Sequence, residues 1–344
     1  MTTQNNDTFH DTFDEDEFDD SLFNDIDTDK HIKHGKKKWN FHILFFVVIA
    51  ALFLFAIVRL LIWNIGKSSG YDPNEDTSEF DTEPLDYIQP LNKEQLNGKP
   101  EDGVTTIFCL GNSPFSDNGA DNTLTASIAD AMDAVTVNVS FADSFMSQKN
   151  ASYDDSYPAD GISLYEVTKA LTSGDFSTVE RAAAAISEEA SAQAEYMKTL
   201  DLSTADMVVI MYDLSDYIDH RPVMDPNDPN NLLTCNGCLN ASVQMIQEKY
   251  PYIRIVVLST PACGKTIDNF YVDGDVQDLG NGTLTDYLAN AANVAISNGV
   301  SFIDTYFGVI TTQNRDQYLI DDYHLNEAGS KAIAARLKKL ISIS

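Results

Sequence analysis

Short runs of apolar residues alternate with segments of helical spacing from residue 104 to the end of the chain. The runs that predict strands are Val104–Leu110, Val135–Val139, Met207–Tyr212, Ile253–Leu258 and Val300–Ile303. Between them, apolar residues recur every three or four positions, as at Leu284, Leu288 and Ala295, which predicts helices. Strands that are apolar throughout and alternate with helices are typical of a parallel sheet with both faces covered. The pattern therefore predicts an α/β domain with five parallel strands over residues 104–344.

A longer apolar segment lies upstream of this domain. From Phe41 to Trp63 the only charged residue is Arg59, and a helix of that length crosses a bilayer core of about 30 Å. Trp39 and Trp63 bracket the segment, as residues of an interfacial aromatic belt do. A lysine cluster precedes it, so the positive-inside rule places the N-terminus in the cytoplasm. The sequence predicts one transmembrane helix over residues 39–63, acting as a signal anchor in the cell membrane, with the following domain outside.

Acidic segments flank the apolar segment on both sides and contribute much of the net charge of -31. Residues 1–38 form a tail that ends in the basic cluster, and they contain too little apolar material for a core. We expect a disordered cytoplasmic tail, which is either simply solvated or a docking segment for a cytoplasmic partner. Residues 64–103 are acidic and contain several prolines, which predicts an extended stalk outside the membrane. Because residues 104–344 show no basic stripe, we expect no nucleic-acid partner.

Side chains with catalytic potential follow the ends of three predicted strands. Ser113 follows the first strand, Asp213–Asp216 follow the third, and Asp321 and His324 come after the fifth. Sites in an open parallel sheet form beyond the carboxyl ends of its strands, so these groups are expected at one edge. An aspartate three residues before a histidine can hold the imidazole, and an oriented imidazole activates a hydroxyl nucleophile. Singly, each motif also fits a common turn or a helix cap; together they predict a catalytic site.

Two stretches carry a resemblance to a known family. Phe108–Ser113 resembles the first sequence block of the SGNH, or GDSL-type, hydrolases, with Asn112 where the family has an aspartate. Asp321–Asn326, followed by Gly329, resembles the last block. The resemblance covers residues 104–344 and is strongest at the two ends of that range.

The resemblance implies a fold and a reaction. The fold is a three-layer, flavodoxin-like α/β/α domain, and the reaction is ester hydrolysis without a metal or another cofactor. Ser113 would be the nucleophile, His324 the general base and acid, and Asp321 the residue that orients His324.

The middle blocks depart from the family pattern. The family completes its oxyanion hole with a glycine amide after the second strand and an asparagine side chain after the third. Here Asp143 stands at the glycine position and Ser215 at the asparagine position. The resemblance then implies an oxyanion hole of Ser113, Asp143 and Ser215. Because loss of one donor costs about 10²–10³ in turnover, a slow enzyme is as consistent with these residues as a fast one.

The four cysteines leave their pairing open. Cys109 falls in the first strand, which predicts a buried thiol. Cys235 and Cys238 form a close pair before a helix, but no second cysteine pair or histidine cluster accompanies them as metal ligands would. A local disulfide, two free thiols, and a bond from Cys263 to either all remain open. We expect neither a metal site nor a redox centre.

These observations combine into one main hypothesis and three alternatives. The main hypothesis is a single-pass membrane protein whose extracytoplasmic domain is a serine esterase or acylhydrolase. Its position outside the membrane indicates an exported acyl ester, such as an O-acetyl group on a cell-wall or surface polysaccharide. The first alternative is an acyltransferase that uses a sugar hydroxyl instead of water. The second is a catalytically inactive binding or scaffold module that kept the fold. The third gives the main role to the cytoplasmic tail as a recruiting element.

Overall fold

The computed structural model describes residues 45–46, 49–57, 83–99, 102–117, 119, 123–261, 264–267 and 269–342. The chain divides into two compact units, Met1–Thr77 and Ser78–Ser344. In the first unit, residues 45–46 and 49–57 of the predicted membrane segment are helical and exposed. The rest of that segment and the acidic tail lie outside the described residues. Within the described part of the chain, no helix is both long enough and apolar enough to cross a membrane.

The second unit is an α/β domain. Its strands are β1 (Thr106–Gly111), β2 (Val135–Asn138), β3 (Met207–Met211), β4 (Arg254–Leu258), β5 (Gly264–Ile267), β6 (Phe270–Asp273) and β7 (Ser301–Ile303). The longer helices are α2 (Thr123–Met132), α3 (Leu164–Ser173), α4 (Ser177–Ile186), α5 (Glu188–Met197), α7 (Cys235–Lys249), α8 (Leu284–Asn298) and α11 (Glu327–Ile341). Four short helices complete the set: α1 (Ser113–Ser116), α6 (Ser215–Ile218), α9 (Thr305–Gly308) and α10 (Arg315–Tyr318).

Five strands form one parallel sheet in the order β2-β1-β3-β4-β7, which confirms the predicted five-stranded parallel sheet. The strand order reverses at β1. Because crossovers between parallel strands are right-handed, the helix between β1 and β2 and the helices after β2 lie on opposite faces. In agreement, α11 packs against α2, whereas α7 packs against α3 and α8. Every residue of β1 and β3 is buried, so the core runs through the centre of the sheet.

Residues 85–89, which the sequence places in the stalk, lie along the edge of β7; we call this segment the edge strap. Tyr87 pairs antiparallel with Phe302, and each amide donates to the other residue's carbonyl, at 2.8 and 2.7 Å. The carboxylate of Asp86 accepts from the amide of Asp304 at 3.0 Å and pairs with Arg336 at 2.6 Å. A segment upstream of residue 104 therefore covers one edge of the sheet.

Candidate active site

The candidate nucleophile lies where the chain leaves the central strand β1. Gly111 ends this strand, and a Cβ atom there would clash with the carbonyl oxygen of Met211 in β3. Glycine is required because the two backbones approach so closely. The chain then enters the short helix α1, with half-buried Ser113 as its first residue and Pro114 as its second. Proline suits the first turn of a helix, because the N–H groups of that turn have no carbonyl acceptor within the helix.

Asn112 fixes the loops around Ser113. This residue is 1% exposed. Its Nδ2 donates to the carbonyl of Ser144 at 3.0 Å and to Oδ1 of Asp213 at 2.8 Å, and its Oδ1 accepts from the amide of Asp213 at 2.9 Å. One side chain thus ties the end of β1 to the loops that follow β2 and β3. An ionised aspartate at this position could not donate to these two acceptors, so the contacts require an asparagine. The sequence alone did not reveal these partners.

Asp321 holds the ring of His324. Its Oδ2 lies 2.7 Å from Nδ1 of His324, and its Oδ1 accepts from the amides of Tyr323 and His324 at 3.0 and 2.9 Å. Burial alone would raise the pKa of Asp321, but these hydrogen bonds and the imidazole together lower it. An ionised Asp321 favours the proton on Nδ1, which leaves Nε2 as the acceptor. The neighbouring Asp322 instead accepts from the amide of Thr266.

A carboxylate missed in the sequence, Asp117, connects His324 with Ser113. Its Oδ2 lies 3.9 Å from Nε2 of His324. Its amide donates to the carbonyl of Ser113 at 3.0 Å. Burial raises the pKa of Asp117, while the charge of His324 and a hydrogen bond from the Ser113 side chain oppose this rise. Ser113 and His324 therefore meet at one carboxylate, with Asp321 behind the imidazole. The spacing of four residues between Ser113 and Asp117 was the available signal.

The two residues predicted to complete an oxyanion hole share a cavity with Ser113. The cavity has a volume of about 220 Å³, and its lining includes Ser113, Asp143, Asp213, Ser215 and Tyr323. Asp143 has a φ of 54°, in the left-handed region that favours glycine and that aspartate tolerates. The backbone at this position is thus compatible with the family's glycine. The amide of Ser215 donates to Oδ1 of Asp213 at 2.8 Å, so a contribution to catalysis would come from its hydroxyl.

A buried carboxylate, Asp216, supports the floor of the site. It is 5% exposed and accepts from the amides of Met146 and Ser147 at 2.8 and 3.0 Å, and from the Ser147 hydroxyl at 2.5 Å. These bonds join the loop after β2 to helix α6. The thiol of Cys235 lies 3.5 Å from Oδ1 of Asp216. Asp216 is therefore part of the support for the site and is distinct from the carboxylates near His324.

The cysteines in the described residues are buried free thiols. Cys109, Cys235 and Cys238 are not joined by disulfides, so a local disulfide between the last two is not formed. Cys263 lies outside the described residues. Burial raises the pKa of Cys109 to about 12 and holds those of Cys235 and Cys238 far above the usual range for a thiol. Groups of histidine, cysteine or acidic side chains suited to a metal ion do not occur in the described part of the chain.

Comparison with known proteins gives a likeness of fold. Neither a family model nor a curated protein matches the sequence. One solved structure aligns with a TM-score of 0.50 at 17% identity, over 70% of this chain and 97% of its own. A protein from Lactobacillus plantarum aligns with a TM-score of 0.49 at 17% identity, over 70% of this chain and 97% of the other chain. A carbohydrate acetylesterase from Sinorhizobium meliloti aligns with a TM-score of 0.42 at 12% identity, over 70% of this chain and 99% of the other chain. At such identities the first alignment shows a shared α/β fold and nothing about activity.

Proposed function

We propose that the domain is a serine esterase or acylhydrolase that cleaves an acyl ester through Ser113, His324 and Asp321. One observation carries the proposal. Asp321 orients the ring of His324 through Nδ1 at 2.7 Å, while Nε2 lies 3.9 Å from the carboxylate of Asp117, whose amide donates to the carbonyl of Ser113. This is the arrangement that a hydroxyl nucleophile needs for activation. Ser113 and His324 come from opposite ends of the domain, and their shared neighbour Asp117 supports the assignment of both to one site.

The reaction has two halves. In the first, Oγ of Ser113 attacks the acyl carbon and its proton passes to Nε2 of His324, which then protonates the departing alcohol. In the second, water attacks the acyl-enzyme with the same histidine as base and then as acid. Ionised Asp321 stabilises the imidazolium that forms in both halves. The amides of Ser113 and Asp143 and the hydroxyl of Ser215 are the proposed donors to the developing oxyanion.

The proposed location and substrate rest on the sequence. The apolar segment at residues 39–63, preceded by lysines, supports a membrane anchor with the N-terminus in the cytoplasm and the domain outside. An ester reached from that position belongs to an exported molecule. We propose an O-acylated cell-wall or surface polysaccharide as its carrier, and a cytoplasmic partner for the acidic tail.

The test compares the purified full chain with its Ser113→Ala and His324→Ala variants. Release of nitrophenol from acetyl and longer acyl esters is followed, together with labelling by a fluorophosphonate probe. Ser116→Ala is the matched control, since this serine lies one helical turn from Ser113 on the same short helix. We expect turnover and labelling in the wild type and in the control, and neither in the two site variants.

A folded wild type that shows neither turnover nor labelling would contradict the proposal and favour the binding module. Product analysis with a sugar acceptor separates hydrolysis from acyl transfer, because only a transferase forms the acylated sugar.

A further inference from the structure

Asp117 lies against both reacting groups of the proposed active site. Its carboxylate is 3.9 Å from Nε2 of His324 and hydrogen-bonds to the side chain of Ser113. Its side chain is 33% exposed, so the carboxylate is partly open to solvent beside Ser113, which lines the cavity. An ester with its carbonyl carbon at Oγ of Ser113 must lie within a few ångströms of this carboxylate. The charge on Asp117 therefore acts on the substrate and on the transition state.

The effect on an uncharged ester is unfavourable. Attack by Ser113 places negative charge on the carbonyl oxygen, and an ionised carboxylate nearby raises the energy of that state. At these distances one unit charge changes a rate on the order of tenfold, even in a partly solvated site. A positive charge on the substrate reverses the sign, because it pairs with Asp117 and offsets the oxyanion.

The other charged groups around the cavity leave the balance negative. Asp143 and Asp213 line the cavity beside Ser113. Asp219 also lines it, but pairs with Nε of Arg221 at 2.6 Å. The cation in the lining is Lys265, whose ammonium lies 4.7 Å above the ring of Tyr323. Asp321, behind the imidazole, balances the charge of a protonated His324.

We propose that Asp117 makes the site selective for esters that carry a positive charge close to the scissile bond, such as aminoacyl esters or esters of amino alcohols. This inference rests on the proposed function and names the substrate class of the same site. Asp117 is then a specificity-determining residue that touches both the nucleophile and the base. An uncharged ester reacts more slowly because nothing offsets the carboxylate.

The test uses two sulfonyl fluorides that differ in one charge and need no knowledge of the natural ester. One is 4-(2-aminoethyl)benzenesulfonyl fluoride, a cation at neutral pH, and the other is its uncharged N-acetyl derivative. In both, Oγ of Ser113 bonds to sulfur, fluoride leaves, and the proton of Ser113 passes to His324. The rate of Ser113 modification is measured by peptide mass in the wild type, in Asp117→Asn, and in Asp316→Asn. The last is the control, a carboxylate that is 97% exposed.

We expect the cationic reagent to react about fivefold or more faster than the uncharged one in the wild type and in Asp316→Asn. In Asp117→Asn this ratio falls towards one, and the uncharged reagent gains speed. High salt lowers the wild-type ratio by screening, which tests the charge without any variant. A wild-type ratio near or below one, a ratio unchanged in Asp117→Asn, or a ratio insensitive to salt overturns the inference. Failure of both reagents to modify Ser113 in folded wild-type protein refutes the proposed function and the inference with it.

Discussion

Replacing Asn112 by aspartate, the residue that the SGNH family has there, tests whether Asn112 holds the site together as a donor. In the wild type its Nδ2 donates to the carbonyl of Ser144 and to Oδ1 of Asp213. The introduced carboxylate cannot donate, and it faces a second carboxylate across a contact that is 2.8 Å in the wild type. A substitution that introduces the residue found in the SGNH hydrolases is therefore expected to destabilise this protein.

The expected cost follows from these two contacts. A buried carbonyl that loses its donor costs about 1–3 kcal/mol. The repulsion between two carboxylates adds to this, although Asp213 is only half-buried and solvent weakens the effect. We expect a loss of about 3 kcal/mol in the free energy of unfolding at neutral pH.

The loss depends on pH with a definite sign. Burial and the neighbouring charge raise the folded-state pKa of the introduced carboxyl above its unfolded value of about 3.9. Below the unfolded value the carboxyl is protonated in both states and can donate, so the penalty is small. As the pH rises above it, the unfolded state ionises first, and the penalty grows until the folded-state pKa is passed.

The assay is urea unfolding of the full chain, followed by far-ultraviolet circular dichroism, at about pH 5 and about pH 8. Tryptophan fluorescence is unsuitable, because both tryptophans lie upstream of the domain. Asn293→Asp, on the exposed surface of α8, is the control for an added charge. Adding Asp213→Asn to Asn112→Asp supplies a donor opposite the new carboxylate and should restore about 1 kcal/mol or more. Equal stability of Asn112→Asp and wild type at both pH values, or no recovery in the double variant, refutes the reasoning.

The site and the fold give four further predictions. Asp321→Asn leaves the domain folded but lowers Ser113-dependent turnover by about 10³–10⁴-fold, because an amide does not enforce the tautomer of His324; full activity would contradict the assigned role. Since the folded-state pKa of Asp321 is lowered, its stabilising effect is present above the unfolded pKa and is lost as pH falls through the folded-state value; the difference in free energy of unfolding between wild type and Asp321→Asn, measured in urea, should therefore shrink as the pH is lowered, and a difference independent of pH would contradict this. A chain that begins at residue 104 lacks the edge strap and should unfold about 2 kcal/mol more easily than one that begins at residue 83, as measured in urea. Cys235 and Cys238 should react with iodoacetamide only after unfolding, and rapid labelling of the native protein would contradict their burial.

The sheet could be predicted because its central strands are largely apolar. Met207–Met211 is an uninterrupted run of large hydrophobic residues, and Arg254–Leu258 is one after its first residue; a central strand with both faces covered requires that pattern. The position of Ser113 and His324 at one edge of the sheet could also be predicted, since both residues come after the carboxyl ends of strands.

The features that could not be predicted depend on contacts between distant segments. The edge strap is only five residues long and lies between Pro84 and Pro90. It is held by backbone pairing with Phe302 and by Asp86, and these contacts leave no periodic pattern in the sequence. The role of Asn112 depends on Asp213 and Ser144, whose positions relative to it are set only by the folded sheet. Asp117 belongs to a turn too short for helical periodicity to indicate a face.

The edge strap also determines where the upstream chain joins the domain. The strap runs antiparallel to β7, and the amide of Leu85, near its start, donates to Asp304, just beyond the carboxyl end of that strand. The chain thus arrives at the same edge of the sheet that carries Ser113 and His324. In the proposed membrane-anchored protein, residues 64–82 would be the tether, and a chain of that length spans at most about 65 Å, which would restrict the site to targets within that radius.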